Sequence, residues 1–280
     1  MNAIYVWGVT KALGGRVRLR IEDHDRIRSR PEYEEALLED LDWLGFAADA
    51  GRDPVDRQSD RPDRYREAVE QLAGDHLVYA CRCSRKEIGG ERYDGRCRGG
   101  GTWRAGGPDK ARPAGARAAG MRVAFDAGVE RIDDLLLGPL EQDPSEQCGD
   151  LLLRDRDGHW TYQFAVAVDD LDQDITLVIR GADLVSSTGR QVKLARMLGR
   201  ATPLRFLHHP LIIGASGEKL SKALRDTGIR DLRARGLEPA DVIGRAAAAV
   251  GLVPPSTAVR AEDVATLFPQ AEARGLKAEA

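Results

Sequence analysis

Residues 175–199 restrict the fold more than any other part of this chain of 280 residues. The segment begins with ITLVI, an uninterrupted apolar run that leads to Arg180, and continues after a short loop as TGRQVKLARMLG. Such a run is typical of a strand inside a parallel sheet that is covered on both faces. Thr188 is suited to cap the following helix, and Gly199 is suited to end it. The pattern therefore predicts an α/β fold.

The first third of the chain repeats the order of strand, loop and helix. Residues 17–21 alternate apolar side chains with arginines, which predicts a strand. Residues 29–46 predict an amphipathic helix with Ser29 as its N-cap, Pro31 in its first turn and Gly45 at its end. A second helix is predicted over residues 61–74, and the segment after residue 225 reads as helical. We interpret the whole as a doubly wound parallel sheet that is interrupted by an insertion.

Composition indicates a globular protein of the cytoplasm. Hydrophobic residues make up 42% of the chain, and the longest nearly apolar run, residues 246–253, is far shorter than the roughly 20 residues that span a bilayer. The net charge of -3 argues against a protein that coats nucleic acid by bulk electrostatics. We therefore expect neither a membrane nor a DNA partner. Four cysteines are too few for a disulfide scaffold, so we expect them to be reduced thiols.

Three of those cysteines lie within residues 81–97, CRCSRKEIGGERYDGRC. Thiolates of Cys81, Cys83 and Cys97 suit three corners of a tetrahedral zinc site, and Tyr93 and the distant Cys148 are both candidates for the fourth. Reduced thiols without a metal are the alternative. The site is expected to be structural, because four protein ligands leave no position for a substrate.

Charged residues follow two of the predicted strands at the edge where α/β sheets bind their ligands. Glu22 ends the first strand and Arg180 ends the apolar one, so a carboxylate and a guanidinium could hold the two ends of an amino acid. Solvated strand ends are the plainer explanation. We interpret His208 and His209 as packing residues of a loop or core edge, and His24 as a solvated side chain.

Two lysines lie in the glycine-containing segment GASGEKLSKALRDTG. The chain has only seven lysines, so the pair formed by Lys219 and Lys222 is informative. Ammonium groups that reach a polyphosphate stabilise the charge that develops when phosphorus is attacked. A surface pair of this spacing also occurs by chance, so the segment alone is a weak indication of nucleotide chemistry.

Several segments together resemble the catalytic half of the class I glutamyl-tRNA synthetases. They are RLRIEDHDRIRSRPEYEEALLEDLDWLGF, WTYQFAVAVDDLDQDITLVIRGADL, HHPLI and EKLSKA, and they extend over nearly the whole chain. The C-x-C and Y-D-G-x-C-R pattern, with no anticodon-binding domain after the lysines, is similar to a subfamily that attaches glutamate to queuosine in the anticodon loop of tRNA(Asp). The resemblance implies a Rossmann-type fold, a ligase activity, and ATP, L-glutamate and tRNA(Asp) as partners.

The resemblance also implies roles for individual residues. Glutamate would contact Glu22, Tyr162 and Arg180. Lys219 and Lys222 would be the catalytic lysines, and Lys222 would hold the phosphates of ATP, which magnesium accompanies. One structural zinc would be held by Cys81, Cys83, Tyr93 and Cys97, which leaves Cys148 outside the site.

The resemblance implies four parts of the chain. Residues 1–75 would be the first half of a nucleotide-binding domain, residues 76–165 an insertion with the zinc site, residues 166–225 the second half with the lysine loop, and residues 226–280 a helical tail. In the family, a strand and the pattern F-x-P-S-P-T-G-x-x-H-x-G-H precede residues like NAIYVWGV, with which this chain starts after Met1. We expect upstream codons to encode them, and the chain as written to be inactive. A non-catalytic RNA-binding or regulatory paralogue and a truncated glutamyl-tRNA synthetase remain the alternatives.

Overall fold

A computed structural model describes residues 1–24, 29–100, 103, 119–212 and 228–269. Its helices are α1 (Asn2–Ala12), α2 (Pro31–Leu44), α3 (Pro62–Asp75), α4 (Arg85–Ile88), α5 (Pro144–Gln147), α6 (Tyr162–Asp172), α7 (Thr188–Met197), α8 (Ile229–Ala234) and α9 (Pro239–Ala248). Its strands are β1 (Val78–Cys81), β2 (Gly120–Val123), β3 (Glu130–Asp134), β4 (Gly138–Gln142), β5 (Leu151–Arg154), β6 (Leu177–Gly181) and β7 (Arg205–His209). Within the described ranges, every helix is too short or too polar to cross a membrane.

The larger sheet has the strand order β4-β3-β7-β6. Strands β3, β7 and β6 run parallel, whereas β4 returns from β3 through a tight turn and pairs with it antiparallel. The sheet is therefore mixed and not wholly parallel as predicted. A connection of three residues between β3 and β4 is long enough only for an antiparallel hairpin, since a parallel neighbour needs a crossover of a dozen residues or more.

Helices cover both faces of this sheet, which explains the apolar run at β6. Side chains of β6 alternate, so that Ile179 packs with Tyr5 and Val9 of α1 on one face, while Val178 packs with Val192 of α7 on the other. This is the arrangement of a doubly wound α/β fold. The predicted strand 175–179 is confirmed with a shift of two residues, which places Arg180 within β6.

A second sheet lies in the predicted insertion and has the antiparallel order β1-β2-β5. Its inner face, which includes Val78, Val123 and Leu153, packs with α3, α6 and α7 in the largest core of the protein. Strands β3 and β4 also fall within residues 76–165, yet they belong to the larger sheet. The division of the chain at residues 75, 165 and 225 stays a prediction.

The strand predicted over residues 17–21 is wrong. Val17 and Ile21 are buried as the alternation requires, but the segment makes only single bridges, Arg18 with Ala50 and Ile21 with Arg57. The backbone is extended and bonds to the irregular segment 49–58, for example from Leu19 N–H to the Ala50 carbonyl at 2.9 Å. The alternation thus identified a half-buried extended segment, but it contained no information about the partner that a strand needs.

The predicted helices are confirmed with small changes at their ends. Helix α2 begins at Pro31 after Arg30 and not after a Ser29 cap, and it ends at Gly45 in the left-handed conformation with φ 86°. Helix α3 buries the predicted apolar side chains, Tyr65, Ala68, Val69 and Leu72. Helix α1 was not predicted. It packs against the 3-10 helix Ala261–Leu267, where a Cβ atom on Gly8 would lie 2.2 Å from the Phe268 ring.

Candidate functional site

Arg180 lies near the end of β6, and its guanidinium is held by three side chains from two other elements. Its Nε donates to His208 Nε2 at 3.1 Å, and its two terminal nitrogens donate to Gln191 Oε1 at 2.6 Å and Thr188 Oγ1 at 2.8 Å. The residue is 7% exposed, and burial lowers its pKa from the ordinary value. An arginine nevertheless keeps its charge in a protein. This is a buried, oriented cation.

No ion pair among the described residues includes Arg180, although the protein contains many such pairs. Its three side-chain acceptors are neutral groups, and so are its other close neighbours, the Leu184 carbonyl at 3.5 Å and the Phe206 ring, whose centre lies 5.4 Å from the guanidinium carbon. Buried charges in proteins are normally paired, because their transfer out of water is costly. The arrangement therefore suits the binding of an anion, and a planar carboxylate matches a guanidinium best.

Tyr162 and Glu22 interact with this cation electrostatically. Tyr162 is the first residue of α6, and burial is the largest cause that raises its pKa. Glu22 adds to the rise, whereas the charge of Arg180 opposes it. The structure thus brings together the three residues for which glutamate contacts were predicted. Their chemistry, with a carboxylate, a phenol and a guanidinium, suits the polar groups of an amino acid.

A network of acids and arginines supports Glu22. Arg20 donates to Glu22 at 3.2 Å and to Asp170 at 2.9 Å, and its Nε lies 3.7 Å from the fully buried Asp169. Burial is the main cause that raises the pKa of both Glu22 and Asp170, and Arg20 opposes it. Arg61 also pairs with Asp169 at 2.9 Å, so two arginines face three carboxylates, and this side of the site retains an acidic excess that suits an ammonium ligand.

His24 is not the solvated side chain that we predicted. Its Nδ1 lies 2.7 Å from Gln58 Oε1, and Gln58 in turn donates to Asp169 at 2.8 Å. The His24 ring centroid is 6.0 Å from that of Tyr162. The histidine therefore connects the candidate ligand residue Tyr162 to the buried acid Asp169. No local pattern indicated this contact, because the partners of His24 lie 34 and more residues away in the chain.

His208 was also underestimated. It lies on β7 with a fully buried side chain, and its Nδ1 is 2.6 Å from Asp134 Oδ2, while its Nε2 accepts from Arg180. It is therefore part of the support of Arg180 and not a loop residue. Gln191 was missed as well. Its Nε2 is buried and has no hydrogen-bond partner in the described part of the chain.

The cysteine cluster forms as predicted. The sulfur atoms of Cys81, Cys83 and Cys97 all lie within 4.8 Å of one another, and Cys83 and Cys97 are 3.5 Å apart. Ligand sulfurs of tetrahedral zinc are separated by about 3.8 Å, given Zn–S bonds of about 2.3 Å. The Tyr93 hydroxyl lies 3.5 Å from the sulfur of Cys81 and 4.0 Å from that of Cys83. Three sulfurs and one oxygen thus fit the donor set of a structural zinc site.

Cys148 lies outside this cluster. Its thiol donates to the Pro144 carbonyl at 3.2 Å and packs in the main core, whereas Tyr93 packs with Cys81. The backbone explains the choice, since Tyr93 N–H bonds to the Cys148 carbonyl at 2.9 Å and the thiol of Cys148 points away. Of the two candidates for the fourth ligand, only Tyr93 is in position.

The thiols of Cys83 and Cys97 differ in pKa. Burial would raise the pKa of Cys97, but hydrogen bonds from Tyr93 and from the Arg82 backbone lower it to about 7. Burial raises the pKa of Cys83 to about 11, and its hydrogen bond with Cys97 adds to the rise. Cys97 therefore gives up its proton first, and a metal ion would have to displace the protons of the other ligands.

Two buried charged residues, Asp150 and Arg122, lie next to the cysteine cluster. Asp150 accepts hydrogen bonds from Tyr79 and from Arg98, whose Nε is at 2.7 Å. Burial opposes its ionisation, yet these bonds keep the pKa of Asp150 below its ordinary value of 3.8. Arg122 donates to the Asp150 carbonyl at 2.6 Å, and its guanidinium lies 3.9 Å from the centre of the Tyr93 ring. A cation over this ring favours an electron-rich phenol oxygen.

The two lysines of the predicted phosphate-binding loop, Lys219 and Lys222, lie outside the described residues, so their roles stay predictions.

Comparison with known proteins gives a consistent result. Residues 1–243 match the family of tRNA synthetases class I (E and Q), catalytic domain. Glutamyl-Q tRNA(Asp) synthetase of Nitratidesulfovibrio vulgaris is 40% identical over 267 residues, which cover 89% of this chain and 80% of that protein. The protein of the same name from Symbiobacterium thermophilum is 36% identical over 285 residues, which cover 95% of this chain and 86% of that protein. Glutamate–tRNA ligase 2 of Cereibacter sphaeroides ATCC 17029 is 38% identical over 251 residues, which cover 85% of this chain and 54% of that ligase.

Solved structures agree on the fold. A glutamate tRNA ligase from Elizabethkingia meningosepticum, solved in complex with its amino acid, superposes with a TM-score of 0.71 at 24% identity and covers 94% of this chain and 60% of that one. Glutamate-tRNA synthetase from Elizabethkingia anophelis gives a TM-score of 0.61 at 26% identity, and the superposition covers 84% of this chain and 50% of that one. The chain therefore has the Rossmann-like α/β fold of these enzymes, and it spans about half to three fifths of their length.

Proposed function

The chain belongs to the class I tRNA synthetases for glutamate and glutamine, and from this premise we propose that it activates glutamate with ATP and transfers it to the queuosine base of tRNA(Asp). The observation that supports glutamate as the substrate is the state of Arg180. It is a buried cation that forms no ion pair among the described residues, and it interacts electrostatically with Tyr162 and Glu22. The queuosine part is supported by the proteins named glutamyl-Q tRNA(Asp) synthetase, of which the chain covers 80% and 86%.

Each residue of the site has a part in binding or orientation. A substrate carboxylate would accept hydrogen bonds from Arg180, the Tyr162 hydroxyl would bind a second polar group, and Glu22 would attract the ammonium group. Bound in this way, glutamate would turn its α-carboxylate to ATP, and a carboxylate oxygen would attack the α-phosphorus while pyrophosphate leaves on the opposite side. Lys219 and Lys222 would stabilise the negative charge on the phosphates, and magnesium would bind with ATP.

The second step transfers the glutamyl group. A nucleophile of the queuosine base attacks the carbonyl carbon of the glutamyl adenylate, and AMP leaves.

We further propose that Cys81, Cys83, Tyr93 and Cys97 hold one structural zinc ion. The support is the donor set, with sulfur spacings close to those of tetrahedral zinc. The ion would join β1 to the loop that carries Tyr93 and Cys97, so its chemistry is that of a cross-link in the fold. The proposed insertion, residues 76–165, would depend on this cross-link more than the larger sheet does.

The function is tested with labelled glutamate and the full-length protein that its gene encodes. We expect ATP–pyrophosphate exchange that depends on glutamate, and label on tRNA(Asp) that contains queuosine. Two controls are tRNA(Asp) without queuosine and tRNA(Glu), neither of which should be labelled. Label on tRNA(Glu) would instead indicate an ordinary glutamyl-tRNA synthetase. A lack of exchange would favour a non-catalytic paralogue.

A further inference from the structure

The side chains of Asp134, His208 and Arg180 form one buried hydrogen-bonded chain that reaches across the larger sheet. Asp134 comes from β3, His208 from β7 and Arg180 from β6, and these strands are direct neighbours. Asp134 Oδ2 lies 2.6 Å from His208 Nδ1, and Arg180 Nε lies 3.1 Å from His208 Nε2. The side chains of Asp134 and His208 are both 0% exposed. Water therefore does not compete for either ring nitrogen.

The chemistry of the two neighbours determines where the imidazole carries its proton. An arginine Nε–H is always a donor, so His208 Nε2 must be the acceptor in their contact. A neutral imidazole with an acceptor at Nε2 has its proton on Nδ1, where the Asp134 carboxylate accepts it. A proton on Nε2 instead would point at the Arg180 N–H and break the contact.

Asp134 is itself fixed, so it can impose this tautomer. Its Oδ1 accepts from the backbone N–H groups of Leu136 and Leu137 in the turn between β3 and β4. Burial opposes the ionisation of Asp134, but the hydrogen bonds from His208 and from these two N–H groups outweigh it and lower its pKa. The carboxylate therefore stays a pure acceptor at neutral pH.

We propose that Asp134 and His208 are positioning residues for Arg180: Asp134 keeps the proton of His208 on Nδ1, and Nε2 then holds the Arg180 guanidinium in the orientation that binds the substrate carboxylate. Arg180 has other partners in Gln191, Thr188 and the Leu184 carbonyl, but all three act on its terminal nitrogens. His208 is the side chain that holds Nε, and its bond fixes the guanidinium at a third nitrogen. The inference rests on the proposed function, because it assigns the oriented cation to glutamate.

Two substitutions of His208 separate positioning from packing. In His208→Gln the side-chain oxygen can occupy the position of Nε2 and accept from Arg180, whereas in His208→Asn the amide can replace only Nδ1 and reach Asp134. Both variants remove the ring and create a cavity. We expect His208→Asn to weaken glutamate binding roughly tenfold to 100-fold, the loss of a hydrogen bond to a charged group. His208→Gln should stay within about threefold of wild type, and ATP binding should change in neither.

A double-mutant cycle tests whether the effect passes through Arg180. Arg180→Lys keeps the positive charge but has no Nε–H, so His208→Asn should cause no further loss of glutamate affinity in that background. Additive losses would show that His208 acts by another route and would overturn the proposal. Equal losses in His208→Asn and His208→Gln would overturn it as well, because packing alone would then explain both. Should His208→Asn fail to fold, the same cycle is measured with Asp134→Asn.

The tautomer is measured independently of glutamate. NMR of the protein with 15N-labelled histidine should show one imidazole, absent from His208→Gln, that is protonated on Nδ1 and not on Nε2. Asp134→Asn should move that proton to Nε2, because an amide group can donate to Nδ1. A wild-type His208 with its proton on Nε2 would refute the positioning role even if glutamate binds. A wild-type protein that binds no glutamate would overturn the proposed function. A His208 proton on Nδ1 would then show that the assignment of the substrate failed and not the arrangement of Asp134, His208 and Arg180.

Discussion

Replacement of Arg180 by alanine should weaken glutamate binding far more than replacement of Tyr162 by phenylalanine. A guanidinium has five N–H groups, and Arg180 uses three of them for the side chains of His208, Gln191 and Thr188 and a fourth for the Leu184 carbonyl at 3.5 Å. One N–H of the terminal nitrogen that bonds to Gln191 is left, and the contact to Leu184 is longer than an ordinary hydrogen bond, so this side of the guanidinium can still bind a carboxylate. Removal of one partner from a buried charged pair costs about 2–5 kcal/mol.

These energies convert to a large difference in affinity. At about 1.4 kcal/mol for each factor of ten, the loss in Arg180→Ala corresponds to roughly 30-fold to 4,000-fold. Tyr162→Phe removes one hydroxyl that forms a neutral hydrogen bond worth about 1 kcal/mol, so roughly a fivefold loss is expected. The two variants should therefore differ by about one order of magnitude or more.

Isothermal titration with glutamate measures both variants directly, and the Km for glutamate in ATP–pyrophosphate exchange provides a second value. Arg180→Ala also leaves the buried acceptors of His208, Gln191 and Thr188 without a partner, at about 1–3 kcal/mol each, so thermal unfolding must accompany the titration. ATP affinity is the internal control and should not change in the folded variants. Equal or negligible losses for the two variants would refute the assignment of Arg180 to the substrate carboxylate.

Three further predictions concern zinc, the phosphates and acid stability. Metal analysis should find about one zinc per chain, which Cys83→Ser and Cys97→Ser lose and Cys148→Ser retains; fully folded metal-free protein would contradict the site. Lys222→Ala should depress the rate of ATP–pyrophosphate exchange more than glutamate affinity, and the reverse would contradict its phosphate role. The folded pKa of Asp150 is lowered, so its stabilising contribution is present above the ordinary value of 3.8 and is lost as the pH falls below it. Denaturation curves between pH 6 and 3 should therefore show a shallower acid loss for Asp150→Asn than for wild type.

Local patterns in the sequence predicted those elements whose determinants are local. Helix α3 follows from an apolar face at helical spacing, and the strand at β6 follows from a continuous apolar run. Residues 17–21 show the limit of this reasoning. Their alternation correctly predicts which side chains are buried, but a strand also requires a regular partner, and the partner segment 49–58 is irregular. The mixed sheet was missed for a related reason. The periodicity of a strand does not show its partner, so it could not show that β3 pairs with β7 and that β4 pairs with β3.

The cysteine cluster and the site around Arg180 differ in the same respect, since only the first is formed by residues that are close in the sequence. Cys81, Cys83 and Cys97 lie within seventeen residues, so their spacing alone placed them around one point, and the structure had only to choose Tyr93 over Cys148. The order of the strands, in contrast, brings together the groups that orient Arg180.

Asp134 and His208 are 74 residues apart, and His208 and Arg180 are 28 apart, yet they are neighbours because β3, β7 and β6 are adjacent in the larger sheet. A sequence can identify an arginine at the end of a strand as a candidate ligand. Only the pairing of strands determines whether that arginine is solvated, neutralised by an acid, or held ready for a substrate. At Arg180 the neighbouring strand β7 supplies a neutral imidazole, and the acid Asp134 comes from β3, the next strand beyond it. The guanidinium is therefore oriented while its charge remains available.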